Sequence, residues 1–272
     1  MIDALRYEVV RLRTIRSTYW LIGLALTFQL IMSMIIAWRL SITPDPLGPD
    51  NTFAVLATIG ASTGIAPLFI GYVLGMLGVF SMGHEYRHGM IRATLTALPS
   101  RVAVLAAKVI TTAVITALGA LACIAMAFLS IAVWGLGLPA FSEVRDLTLG
   151  TVIFTVLFSL SGLAYATIVR NQTAAVALLL LVPTLIETII RGIVFVIKAA
   201  SDDPQSTSGV VEILKYLPYD AGGQLYTRAS IGDLLSFLGY VPFGPVGGGL
   251  VMGTFVAILM ALAAWRFLRF DA

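Results

Sequence analysis

His84 and His88 stand four residues apart with Glu85 beside the first of them. In this His-Glu-x-x-His order, two imidazoles on one helix face can hold zinc while the carboxylate acts as general base toward a metal-bound water. The chemistry would be metal-assisted hydrolysis. Three features of the sequence weigh against it. The chain has two histidines in all, so a third ligand must be a carboxylate, and on the same side of the membrane, in the topology argued below, the acids are Asp3, Glu8, Glu85 and Asp271. Arg87, inside the motif, would set a cation beside the dication. Gly89 follows at once and weakens the helix that must hold the pair rigid. The expectation is no catalytic residue and no metal site.

These residues lie in a polar island between two long apolar runs. With 59% hydrophobic and 11% charged residues in 272 and a mean hydropathy of +0.97, the chain is an all-α integral membrane domain, one unit over 1–272. Six runs are long enough to cross a bilayer: Thr18 to Trp38, Phe53 to Met82, Val102 to Trp134, Leu147 to Val169, Thr173 to Ile197, and Gly247 to Leu268. The first begins after sixteen charged-rich residues and exceeds the apolar length of a cleavable signal, so it reads as a retained span. Six crossings put both termini on one side. Eleven of the seventeen Lys and Arg then fall on the N-terminal side, which makes that side cytoplasmic and the location a cell membrane of the bacterial plasma-membrane kind. The net charge of +3 reflects this orientation and calls for no nucleic acid. Cys123, alone, reads as a small core residue.

Residues 1–16 place Ile2, Leu5, Val9 and Leu12 at helical spacing, with Asp3, Arg6, Arg11 and Arg13 largely off that stripe. This fits an amphipathic helix lying in the membrane interface, or a basic flank that only sets topology. The loop from Arg39 to Thr52 carries Pro44, Pro46, Gly48 and Pro49 and reads as a non-helical connector. Gly60, Gly64, Gly71 and Gly75 give the second run two Gly-x-x-x-Gly spacings, either a dimer seam or the ordinary glycine content of membrane helices. Residues 198–246 open polar and become amphipathic over Val210 to Leu217 and Ile231 to Leu238, with Tyr216, Tyr219, Tyr226, Phe237, Tyr240 and Phe243 suited to the headgroup layer. They are expected to fold back onto the outer membrane face.

Glu85, Tyr86, Arg87, Gly89, Ile91, Arg92, Thr94, Leu95, Pro99, Ser100, Arg101 and Lys108 form a pattern that resembles the cytoplasmic loop between spans two and three of type-2 ATP-binding-cassette exporter permeases. Met90 stands where that family often has Thr. The six-span plan, the amphipathic start and the long outer segment are similar to the family over the whole chain. The resemblance implies that residues 83–101 hold a coupling helix seated in a groove of a cytoplasmic ATPase, with Glu85, Arg87, Gly89, Arg92, Pro99 and Arg101 at the contact. It also implies a second permease, identical or different, and a substrate path between the halves lined by spans one, two and five. A solvated basic loop that only enforces orientation is the alternative. No Gly-x-x-x-x-Gly-Lys-Ser/Thr occurs in these residues. ATP and Mg are therefore expected on a separate ATPase chain, with no cofactor on this one and membrane lipid as a further partner.

Glu187 and Arg191 lie at i and i+4 in the fifth run, after Pro183. The spacing suggests an ion pair, either part of a translocation path or an anchor with Arg191 reaching the headgroups. The functions in play are a permease exporting an amphipathic, drug-like, peptide or lipid-like compound, an autonomous ion-coupled carrier or channel marked by this pair, and a membrane zinc hydrolase.

Overall fold

The computed structural model describes residues 1–42, 47–63, 68–98, 100–200, 208–228 and 242–269. Among them every regular element is helical, as chain in hydrocarbon must be when it pairs its backbone groups within itself. Five helical stretches are long and apolar enough to cross a membrane. They are α2 (Arg16–Ser41), α6 (Arg101–Trp134), α7 (Phe141–Val169), a composite of α8 (Gln172–Leu181) and α9 (Glu187–Ala199), and α12 (Pro245–Arg269). A π-helical turn, Val182–Ile186, joins α8 to α9. Pro183 sits in it, and a residue without an N–H accounts for the widened turn. Local capping sets other boundaries: Ser100 Oγ accepts the N–H of Ala103, and Asn171 Oδ1 that of Ala174.

The second apolar run is not one helix, contrary to the sequence expectation. It divides into α3 (Gly48–Thr58), a 3-10 turn at Ala61–Thr63 and α4 (Phe69–Arg87). Ile59 and Gly60 both take left-handed backbone, φ 53° and 79°, which ends α3. The described residues around the break are paired by several elements. The Gln29 amide donates to Leu56 O at 2.8 Å, Thr58 Oγ1 accepts the N–H of Ser62 at 2.8 Å, and the N–H of Arg228 reaches Ser62 O at 2.9 Å. Irregular backbone inside a membrane bundle requires such burial and pairing. The Pro49 region is helical too, because proline costs nothing in a first turn, where its N–H would be unpaired anyway. Pro44 and Pro46 lie outside the described residues.

α4 is the central helix and packs along α7. A Cβ at Gly75 would lie 2.5 Å from Phe158 Cδ1, one at Gly71 3.2 Å from Phe154 Cε1, and one at Gly78 would collide with the Ser159 carbonyl. Gly71 and Gly75, whose spacing was open to a dimer seam, pack a seam within the chain. Gly60 is in the turn with nothing near its missing Cβ, and Gly64 is outside the described residues.

After α9 the chain forms α10 (Ser208–Glu212), a 3-10 turn at Ile213–Tyr216 and α11 (Pro218–Gly223). Instead of covering the end of the bundle, α11 enters it. Tyr219 and Ala221 are buried, and Gly248 of α12 lies so close to the Ala221 carbonyl that a side chain there would collide, as Gly150 of α7 does with Leu225. The second amphipathic stretch, 231–238, is outside the described residues.

Candidate functional site

α1 (Ile2–Thr14) runs into α2 through Ile15, a single extended residue, and lies against α6. Its buried face is Ala4, Glu8 and Arg11. Glu8 and Arg11 enter a cluster with Glu85 of α4 and Lys108 of α6, all four 7% exposed or less. Lys108 Nζ pairs with Glu8 Oε1 at 2.7 Å, with Glu85 Oε1, and with the Ser81 carbonyl at 3.0 Å. Arg11 pairs with Glu8 Oε2 at 2.9 Å and with Glu85 at 3.4 Å, and its Nη2 donates to Ser81 Oγ at 3.1 Å. Two acids and two bases balance, which is how four buried charges are tolerated. Glu85 thus belongs to the interior. The resemblance set it at the contact with an ATPase; its carboxylate is bound by Lys108 and Arg11 within the chain.

The loop beyond the cluster is exposed. Arg87 ends α4; His88, Gly89 and Met90 form the turn after it, with Gly89 at φ 66°, and α5 (Ile91–Ala97) follows. Ile91 and Thr94 of α5 face inward, while Arg92, Ala93, Thr96 and Ala97 face out. Tyr7 Oη of α1 meets Thr94 Oγ1 at 3.2 Å. Arg101 is half-buried and donates to the Phe267 carbonyl at 3.4 Å, tying α6 to the end of α12. Pro99 is outside the described residues. The exposed turn thus rests on a framework of α1, α4 and α6 whose charges are already paired.

The His-Glu-x-x-His residues do not converge. The His84 and His88 rings stack with centroids 6.1 Å apart, His84 Nε2 lies 3.2 Å from Ser17 Oγ, and Glu85 is bound to Lys108. Among the described residues no three His, Cys, Asp or Glu side chains group as metal ligands.

A second polar centre joins α9, α11 and α7. Glu187, 2% exposed, accepts the N–H of Tyr219 on one carboxylate oxygen and the N–H of Asp220 on the other, both at 2.9 Å. Arg191 donates from one nitrogen to both oxygens of Asp220 at 2.5 Å. The expected Glu187–Arg191 pair is absent, and each residue instead holds α11. Burial pushes the Asp220 carboxyl up from its ordinary value, and the charge and hydrogen bonds of Arg191 oppose that shift. Tyr219 Oη donates to Ser161 Oγ at 3.0 Å and lies 3.1 Å from Tyr165 Oη, so the entering segment reaches the second half of α7. Sequence reasoning missed Asp220, Tyr219 and Lys108 as partners. Acid and base separated by tens of residues give no local spacing signal.

No family model matches this chain, and no curated protein matches it either.

Proposed function

We propose that the chain is the membrane permease subunit of an ATP-driven exporter, powered by a separate ATPase that docks on the Arg87–Arg92 turn and α5. The observation that carries this reading is the exposed turn braced from behind by the Glu8–Arg11–Glu85–Lys108 cluster. A loop meant only to set orientation needs no such brace, whereas a loop that transmits movement between a motor and a bundle must not yield. The docking residues are then Arg87, Gly89, Met90 and Arg92, with Glu85 and Lys108 as the support behind them.

In this reading α3 and α4 together make a sixth, interrupted crossing, and both termini lie on the cytoplasmic side of a cell membrane. The interruption, the π turn and the entering α11 suit a transporter, because broken backbone at membrane depth belongs where it is packed in protein or borders a cavity. A second permease completes the path, and the cargo is an amphipathic, drug-like, peptide or lipid-like compound. ATP and Mg belong to the motor chain.

The test is co-purification from the native membrane followed by sequencing of retained chains. Recovery of a P-loop ATPase with wild type, and its loss with Arg87→Glu/Arg92→Glu, supports the reading; recovery of no ATPase contradicts it. One observation favours a second reading, an autonomous ion-coupled carrier: two carboxylates, the buried Glu187 and the part-buried Asp220, share one centre with a single arginine. Ion-driven uptake in liposomes without ATP would support it.

A further inference from the structure

α1 presents three distinct faces. Its polar face, Glu8 and Arg11, is sealed inside the protein. The apolar stripe therefore turns outward: Ile2 is 75% and Val9 46% exposed, with Leu5 and Leu12 half-buried beside them. Arg6 and Arg13 are exposed along the next edge of the helix, and Arg16 is exposed at the start of α2. None of the three forms an ion pair with a described residue. Asp3 is the one acid on the outward surface of α1.

We propose that this face of α1 binds anionic phospholipid headgroups in the leaflet at the α1 end, and that the binding steadies α5. An apolar stripe beside arginines suits a surface with hydrocarbon below and negative charge above. Position selects lipid over a soluble acidic partner, because α1 is one residue from a membrane-crossing helix whose first turns expose Tyr19 and Trp20, the aromatic residues of a headgroup boundary. The buried ion pairs stop α1 from rolling, so the lipid-facing surface keeps its direction. The same helix touches α5 through Tyr7 and Thr94. Lipid held on one side of α1 is thus felt on the other.

Native mass spectrometry of the purified chain, titrated with phosphatidylglycerol or phosphatidylcholine, tests it. Wild type is expected to retain phosphatidylglycerol at least tenfold more strongly, at roughly fivefold per arginine near the surface. Arg6→Gln/Arg13→Gln/Arg16→Gln should lose most of that preference while eluting like wild type on size exclusion, since all three side chains are exposed. Hydrogen exchange in peptides covering 91–97 should slow with phosphatidylglycerol, and the slowing should disappear in Tyr7→Phe. Equal retention of the two lipids by wild type, an unchanged preference in the triple variant, or displacement by millimolar inorganic phosphate would overturn the lipid site. Exchange in 91–97 indifferent to lipid would overturn the transmission.

Discussion

Lys108 and Glu85 form an ion pair wholly inside the protein, and because Lys108 also holds Glu8, one ammonium group ties together α6, α4 and α1. The loop between α4 and α6 is therefore anchored at both ends by the same charge. Its exposed arginines can meet a partner without first reorganising their own support.

Removing one member of this cluster should damage folding more than docking. Lys108→Met leaves two buried carboxylates facing a single arginine, a loss of about 3–5 kcal/mol of the kind seen when one partner of a buried pair is deleted. Thermal melting in detergent should show a large drop for Lys108→Met and for Glu85→Ala, and almost none for the exposed Arg87→Ala. A Glu85→Ala variant that melts like wild type would refute the structural role.

The α4–α7 seam makes a steric prediction. Gly78→Ala places a methyl group against the Ser159 carbonyl, where backbone cannot easily yield, and should cost on the order of 1–3 kcal/mol through overpacking. Gly60→Ala meets no neighbour and bears only the strain of its positive φ. Folded yield by fluorescence-detected size exclusion should fall sharply for the first and mildly for the second. The reverse order would place the helices wrongly.

A double-mutant cycle separates the pairing seen from the one expected by spacing. Arg191→Gln and Asp220→Asn should couple by roughly 0.5–3 kcal/mol, as residues in direct contact do. Glu187→Gln should act nearly independently of Arg191→Gln, because its carboxylate serves the Tyr219 and Asp220 amides. Unfolding free energies of wild type, the three single variants and the two double variants measure both couplings, and a Glu187–Arg191 coupling larger than that of Arg191–Asp220 would restore the local ion pair.

Much of the helical framework was legible in the sequence, since hydropathy placed α6, α12 and the composite α8–α9 within about two residues of their ends; it found the end of α7 but not its start, because the first turns from Phe141 to Asp146 are too polar to count as a span. The interruption of the second run was less so. Gly60, Gly64 and Pro67 are visible breakers, but an average over a window reports only that Phe53 to Met82 is apolar. Asp220 comes to Arg191 from 29 residues away, and Glu8 to Lys108 from 100. Such partners are set by how helices pack, which no spacing rule contains. The stripe Ile2, Leu5, Val9, Leu12 was read correctly as apolar. What could not be read was that Glu8 and Arg11, on the far side of the helix from it, are the residues the protein buries.

Site-specific crosslinking measures most directly whether the Arg87–Arg92 turn seats an ATPase. A photoreactive side chain at Met90, 41% exposed at the tip of the turn, should crosslink in native membranes to a P-loop ATPase. Adding Arg87→Glu/Arg92→Glu should reduce the yield at least tenfold without loss of folded protein. Crosslinks to lipid alone, or an ATPase yield indifferent to the charge reversal, would contradict the account.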